Sequence, residues 1–462
     1  MQLLLILTFL FNFNLSQSDS IVSGPFVGAV TSNSAEFIIK TLDSEANVKI
    51  ELSEQKDFNK SVNTPDYKSE SGNFNFVKPQ IKNLKPNTTY YYRAIINGSA
   101  SSVINSFKTF PESGNYSFSF GFGSCQQSHY NKSKPEIFKI ISQDSLRFFI
   151  QIGDWGYPDT TEKKYGYRFF TKKDLIAGSY ETKYTRSYPF ADLVLSKMPV
   201  AYLYDDHDFG YNNSDGSDPS KQNSIEGYNL YFPHYELANP ENGIWQKFKF
   251  GDVEFFLIDT RTQRNPNKDV LNEQGNYFPK KNHSILAGYP ISGEDQKTWL
   301  KKSLKESNAK WKVIVSPVMF NPAYREILKD TLIVNTFERI KLDIIDKWSG
   351  FEEEQNEIID FVKSNGIKNL IILSGDSHSA YIDDGENSVF PEFGSSVLDV
   401  NNTKVTQRSK LAGYTLFNQG GYDGDGRCYG KVSFVYGEED YCLMEIIEDT
   451  GKVILSYKLN LK

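Results

Sequence analysis

The chain has 462 residues, 39% of them hydrophobic and 15% aromatic, and a formal net charge of −7. That length exceeds what one small core organises, so two domains are expected. The acidic balance argues against nucleic-acid binding as the main role, because a phosphate backbone requires a cationic surface; it leaves open a small phosphorylated substrate whose charge is met by bound metal ions.

Residues 3–11 form an apolar run too short to span a bilayer but suited to the core of a signal peptide covering residues 1–19. No Lys or Arg precedes the run, and a buried first strand is the alternative reading. No later run of about twenty apolar residues follows, so no membrane span is expected, and the polar residues 456–462 offer no lipid-anchor tail. Asn-X-Ser/Thr sequons at Asn59, Asn87, Asn97, Asn115, Asn131, Asn212, Asn282 and Asn401 agree with a secreted or lumenal protein of the secretory or endolysosomal pathway.

Residues 20–111 read as an all-β sandwich, with alternating or β-branched runs at 35–40 and 48–52 between clusters of Asn, Ser, Asp, Gly and Pro. The stretch Leu84-Lys85-Pro86-Asn87-Thr88-Thr89-Tyr90-Tyr91-Tyr92 resembles the tyrosine corner of fibronectin type III-like sandwiches, where a tyrosine hydroxyl satisfies backbone just upstream. Residues 107–111 read as the last strand, and 111–115 as a linker to a second domain over 116–462.

Beyond residue 116, strand-like runs alternate with helix-length amphipathic stretches, the clearest at 134–143, 293–306 and 351–364; this is the pattern of an α/β domain. The long segments 157–197 and 210–243, rich in Tyr, Asn, Asp and Gly, are expected to carry substrate-facing loops. Six apolar runs stop abruptly on polar residues. Residues 116–122 run into Gly123-Ser124-Cys125, 147–152 into Gly153-Asp154-Trp155-Gly156-Tyr157, and 200–204 into Asp205-Asp206-His207-Asp208. Residues 253–258 run into Asp259-Thr260-Arg261, 312–315 into Ser316, and 369–374 into Gly375-Asp376-Ser377-His378. In open α/β sheets the active site lies beyond the carboxyl ends of buried strands, which is where these residues fall.

Of the three cysteines, Cys428 and Cys442 flank an expected hairpin of 432–436 and 443–447, and are expected to form a disulfide. That leaves Cys125 as a free thiol at a strand end beside the other candidate ligands.

The strand-end residues have the chemistry of a metal centre. A short turn can aim Asp154 and Tyr157 at one site, and a phenolate ligand favours ferric iron over magnesium. Asp376 and His378, two apart, share a face in extended backbone. Cys125 can add a thiolate to the first metal, Asp206 can bind a second, and Asp154 can bridge them. Two such cations clamp the attacking and leaving oxygens of an in-line displacement and lower the pKa of a bound water, so that hydroxide is available without a strong side-chain base. His207 is the best proton donor to a leaving oxygen. Of the remaining histidines, His129, His234 and His283 read as ordinary. Asp205 and Asp208 suit either direct ligation or a supporting role. Arg261 can bind a phosphoryl oxygen or anchor Asp259, and Arg186, Arg168 and Tyr184 are further candidate phosphate contacts.

These blocks resemble the metallophosphoesterase superfamily, and purple acid phosphatases through Gly-Asp-X-X-Tyr at 153–157. Departures at Cys125, at Asp205-Asp206-His207-Asp208 and at Gly375-Asp376-Ser377-His378 are similar instead to the PhoD (alkaline phosphatase D) family, with Asp-Thr-Arg at 259–261 also in order. Ser316 stands where the purple acid phosphatase pattern has a histidine ligand. The resemblance implies a β-sandwich followed by an αββα-type metallophosphoesterase domain, alkaline phosphomonoesterase and phosphodiesterase activity, and an Fe(3+) and Ca(2+) centre. It places Cys125, Asp154, Tyr157 and His378 on iron, Asp154, Asp206 and Asp376 on calcium, and His207 toward the substrate. Carboxylates in place of softer ligands suit calcium and lower the site's net positive charge, which favours an alkaline optimum. The alternatives are a metal-dependent hydrolase of non-phosphate esters, and a binding protein with a degenerate second domain.

Overall fold

The computed structural model describes residues 20–127, 136–161, 170–330 and 338–462. The expected leader, His129, Asn131 and Arg168 lie outside them.

The N-terminal region is strand-rich. One antiparallel sheet holds β1 (Ile21–Gly28), β2 (Ala35–Thr41), β6 (Phe76–Val77) and β7 (Gln80–Ile81). A second runs β10 (Asn105–Lys108), β8 (Thr89–Ile96), β3 (Asn47–Ser53), β4 (Ser61–Asn63), with β5 (Tyr67–Lys68) on β3 and β9 (Ser99–Ala100) on β8. Along β8 the residues alternate inward and outward, as a half-solvated antiparallel strand must. The Tyr90 hydroxyl accepts a 3.0 Å hydrogen bond from the backbone N–H of Lys85, five residues upstream.

Two larger mixed sheets follow. The first has the order β13 (Val200–Leu203), β12 (Phe149–Ile152), β11 (Phe118–Gly123), β21 (Cys428–Val435), β22 (Tyr441–Glu448), β23 (Val453–Asn460). The second has β14 (Gln246–Phe250), β15 (Val253–Leu257), β16 (Trp311–Ser316), β17 (Leu370–Ser374), β19 (Glu392–Ser395), β18 (Ala380–Asp383), β20 (Gly420–Gly421). β11, β12 and β13 are parallel, as are β15, β16, β17 and β19. The parallel strands β12, β13, β15, β16 and β17 are buried along their whole length, which explains why they are mainly apolar where a half-solvated strand alternates. Aromatic rings join the two sheets: Phe120 meets Phe255 edge-on at 5.2 Å, and Phe122 meets Phe393 at 4.8 Å. Helices Gln296–Glu306 and Glu352–Ser364 bury Trp299, Leu300, Leu304, Ile358, Ile359 and Val362 in a second core with Phe256, Ile314 and Ile372. Asp295 caps the first of these helices by accepting from Thr298 N–H at 3.0 Å, and the second starts on three glutamates that suit its positive end.

Two expectations are corrected. Segments 157–197 and 210–243 hold the helices Lys173–Lys183 and Lys221–Tyr231. Their buried faces, Ile176, Ala177 and Tyr180 against Ile225, Tyr228 and Tyr231, are built largely from tyrosine, which hides a helical pattern among polar residues. They pack against the N-terminal strands: Phe76 of β6 lies 5.0 Å from Tyr231, and Lys40 of β2 pairs with Glu181 at 2.5 Å. The disulfide is absent. β21 and β22 do form the hairpin, but its register sets Cys442 opposite Phe434 and Cys428 opposite Glu448, so the two buried thiols lie at opposite ends of the ladder.

Candidate metal centre

The carboxyl ends of the two mixed sheets converge, and the backbone records how tightly. A Cβ on Gly375, just past β17, would lie 2.9 Å from the Ile152 carbonyl of β12 and 2.7 Å from that of Pro317. A Cβ on Gly153 would lie 2.5 Å from Cβ of Asp205. Past their ends, β11 and β12 stay paired: Cys125 N–H donates to Gly153 O at 3.2 Å, Gln126 N–H to Asp154 O at 2.9 Å, and Gly156 N–H to Gln126 O at 2.9 Å. This continuation draws Cys125 to Asp154. Cys125, Asp154, Tyr157, Asp376 and His378 all adopt left-handed backbone, with φ of 62°, 55°, 46°, 57° and 46°. Non-glycine residues adopt that region at a cost, and such strain concentrates where side chains must be aimed.

One group of donors gathers Cys125, Asp154 and His378, whose ligand atoms lie within 4.8 Å of one another. The Tyr157 hydroxyl joins them, donating to Asp154 Oδ2 at 2.9 Å and lying 2.9 Å from His378 Nε2; the thiol of Cys125 is 3.5 Å from the same Asp154 oxygen. A second group brings together Asp154, Asp205, Asp206 and Asp376, again within 4.8 Å, and Asp154 belongs to both. Asp206 is fixed by backbone N–H groups, Asn213 on Oδ2 at 2.7 Å and His207 on Oδ1 at 3.0 Å.

Behind these carboxylates lies a buried cationic network. Arg261 donates from Nε to Asp205 and makes a two-pronged contact with Asp346 at 2.9 and 3.0 Å. Arg264 and Asn267 complete Asp346, at 2.5 and 2.6 Å. The Lys347 ammonium is hydrogen-bonded to Asp376 Oδ2. Asp208 takes the backbone N–H of Trp155 at 3.0 Å and the ammonium of Lys183 at 3.3 Å, tying the Asp154 turn to the Asp205 turn.

The donor set fits cations. Oδ1 of Asp154 is buried without a hydrogen-bond partner. Burial pushes the carboxyl of Asp154 well above its usual range, and Asp206 adds to the push. Asp376 is raised too, by burial against which Lys347 works, with Asp205 and Asp206 adding to it. Burial and the neighbouring carboxylates likewise raise the Cys125 thiol and the Tyr157 phenol. Buried anionic donors that the protein leaves this poorly compensated are what a metal ion relieves. For Asp206, burial pushes upward but Arg261 and His207 prevail, so it stays ionised. Burial, with His207 and Lys347 nearby, lowers His378 to about 4, which keeps its imidazole neutral and able to ligate.

His207 stands at the edge of the cluster with its ring centroid 4.5 Å from that of Tyr157. Its Nδ1 lies 2.8 Å from Asp159 Oδ2, which leaves Nε2 as the free nitrogen. Burial alone would lower its pKa, but Asp206, Asp154 and Asp159 raise it well above the usual histidine value.

The structure therefore gathers Cys125, Asp154, Tyr157, Asp206, His207, Asp376 and His378 at one place. Arg261 is beside them but fully buried, and its guanidinium serves Asp205 and Asp346 where a salt bridge to Asp259 was one expectation; only its backbone N–H reaches Asp259, at 2.9 Å. Ser316 is buried, donating to Val318 O at 2.7 Å and accepting from Trp348 Nε1 at 3.1 Å, so its hydroxyl is used within the scaffold. The rings of Tyr184 and Phe26 of β1 lie 5.8 Å apart and Arg186 lies over the same Phe26, which places both against the N-terminal strands. Sequence reasoning missed Asp159, Asp346 and Lys347. Asp346 had one signal, a carboxylate directly following the apolar pair Ile344-Ile345.

A family model described as PhoD-like phosphatase matches residues 120–422. Alkaline phosphatase D of Bacillus subtilis (strain 168) is 25% identical over 367 residues, which is 72% of this chain; the chain spans 58% of that relative's length. The solved structure of PhoD is similar with a TM-score of 0.69 at 18% identity, covering 96% of this chain and 93% of its own. The structure of a purple acid phosphatase from yellow lupin (Lupinus luteus) seeds is similar with a TM-score of 0.57 at 12% identity, covering 94% of this chain and 74% of its own. At those identities both likenesses are of fold.

Proposed function

This chain belongs to the PhoD-like phosphatase family, and from that premise we propose that it hydrolyses phosphate monoesters or diesters of small molecules at a two-cation centre. The observation that carries the reading is the shared carboxylate of Asp154, which sits in both donor groups. Cys125, Asp154, Tyr157 and His378 would hold iron(III), for which thiolate, phenolate and imidazole are suitable donors; Asp154, Asp206 and Asp376 would hold calcium, which prefers oxygen. When bound, the two ions supply positive charge for the phosphoryl oxygens and lower the pKa of water.

The residues of this chain supply the rest. His207 donates a proton from Nε2 to the leaving oxygen, and Asp159 holds the ring so that this nitrogen faces outward. Cations held among the same carboxylates would weaken the anionic pull that Asp206 and Asp154 exert on His207. Arg261 acts behind the cluster as a fixed counter-charge to Asp205 and Asp346, and reaches 3.8 Å from Asp206 and Asp376. The rim is formed by the 376–378 turn, whose residues keep partial exposure; His207, with 11% of its side chain exposed, lies just inside it, and Cys125, Asp154 and Asp206 are buried.

Export to a secreted or lumenal compartment is part of the proposal. It is supported by the apolar run at 3–11 and by the sequon asparagines, since Asn59, Asn87, Asn97, Asn115, Asn212, Asn282 and Asn401 are all exposed.

The deciding experiment pairs a panel of phosphate monoesters, diesters and lactones with elemental analysis. Iron and calcium in the purified protein, phosphate-ester hydrolysis, and its loss in Asp154→Asn are expected. Activity confined to lactones, or protein purified without chelator that holds neither metal, would overturn the reading.

A further inference from the structure

The two cation positions have different neighbours. Around the first, among the described residues, no Lys or Arg nitrogen lies within 4.0 Å of the Asp154 carboxylate. Around the second, two positive groups intrude. The Lys347 ammonium is bonded to Oδ2 of Asp376, and Nη2 of Arg261 lies 3.8 Å from both Asp376 Oδ2 and Asp206 Oδ1. Arg261 is locked by Asp205 and Asp346, with no exposed surface. Lys347 is differently placed. Its backbone is pinned, since its N–H donates to Ile344 O at 3.1 Å and the next residue, Trp348, donates to Met319 O at 3.2 Å and to Ser316 Oγ at 3.1 Å. Its ammonium has a choice of partners: besides Asp376 it lies 3.4 Å from Oδ1 of Asp343, a side chain 49% exposed, and 3.9 Å from Oδ2 of Asp346.

We infer that Lys347 and the second cation compete for Asp376, so that the first position holds its metal permanently while the second exchanges. The inference rests on the two-cation reading above. A cation arriving among Asp154, Asp206 and Asp376 meets an ammonium already bonded to one of its three ligands. At that range, in a buried site, like charges repel strongly. Binding therefore requires the ammonium to leave Asp376, and Asp343 is the carboxylate that receives it. Lys347 is thus a built-in rival of the second cation, and Asp343 sets how easily that rival withdraws. The arrangement makes two opposite predictions from two residues that are not themselves candidate ligands.

The test uses the full chain, with iron content measured first and the second position cleared by dialysis, followed by calorimetric titration with calcium alone. Lys347→Met keeps the apolar stem and removes the charge; it is expected to bind calcium about tenfold tighter or more. Asp343→Asn is expected to bind it several-fold more weakly, because the ammonium then has no comparable refuge. Iron content is expected to stay the same in all three proteins. Lys347→Met binding calcium no tighter than the parent, or Asp343→Asn binding it equally well, overturns the inference. Should Lys347→Met fail to fold, the half-exposed Asp343→Asn decides alone. Absence of iron from all three proteins would instead overturn the two-cation reading, and the iron measurement reports that separately.

Discussion

Arg261 donates from Nε to Oδ1 of Asp205 at 2.5 Å, and both side chains are buried behind the carboxylates that converge at the strand ends. A guanidinium so enclosed is structural before it is anything else. Removing one partner of a buried charge pair costs about 3–5 kcal/mol, because the other charge is left uncompensated. Arg261→Met is therefore expected to lower the urea midpoint substantially and to reduce metal content with it. A variant with unaltered stability and only a raised KM would show that Arg261 meets the substrate's phosphoryl oxygens directly.

His207→Gln is expected to lower kcat by roughly 10²–10⁴-fold for alkyl phosphate esters. The loss should shrink for a nitrophenyl ester, whose leaving group needs little protonation. A uniform loss across leaving groups would remove His207 as the proton donor.

Asp159→Asn is expected to cost about 10–100-fold in kcat with metal content unchanged, since it disturbs the orientation of His207 while leaving every candidate ligand in place. Combined with His207→Gln it should add little, and steady-state kinetics of the double variant checks this.

Acid stability is expected to depend on His283, which is 3% exposed, stacked on Phe351 at 4.4 Å, and without a hydrogen-bond partner on either nitrogen. Burial lowers its folded pKa to about 4, against 6.5 for the free side chain. The unfolded chain thus binds the extra proton first, and the stability contributed by the neutral ring is lost as pH falls from 6.5 toward 4. The loss amounts to about 2 kcal/mol at pH 5. His283→Phe should keep the stack and flatten this limb when urea midpoints are compared at pH 7 and pH 5. Activity is a separate matter: the carboxylate-rich centre predicts an optimum above neutrality, which a pH–rate profile of metal-loaded enzyme tests.

How much of this was legible beforehand follows from where each residue sits. Cys125, Asp154, Asp206 and Asp376 could be read because each lies within three residues of the end of a strand-like run, and strand ends collect functional groups whatever the tertiary detail. Asp346 left only a faint trace, after Ile344-Ile345, and Lys347 left none. They sit at and just past the C-terminal end of helix Glu338–Asp346, and only the packing of Trp348 under Ser316 turns the Lys347 ammonium toward Asp376. Asp159 lies on the short helix Pro158–Thr161, two residues beyond Tyr157, where nothing local distinguishes it from a solvated turn aspartate. The Cys428–Cys442 expectation failed on register: a hairpin was foreseen correctly, but which residues face each other across it is fixed by pairing along the whole ladder. Added reductant is accordingly expected to leave the melting temperature unchanged.

The left-handed backbone at Cys125, Asp154, Tyr157, Asp376 and His378 has a consequence for anyone evolving this protein in the laboratory. Each such position costs roughly 1 kcal/mol or more, which glycine would recover in part. A library selected only for heat resistance in chelating buffer would drift toward glycine at these five codons and return robust, inert molecules. Selection in the presence of the cations would reverse the ranking, because occupancy then rewards the residues that strain the chain. The growth medium, more than the mutagenesis, would decide which protein emerges.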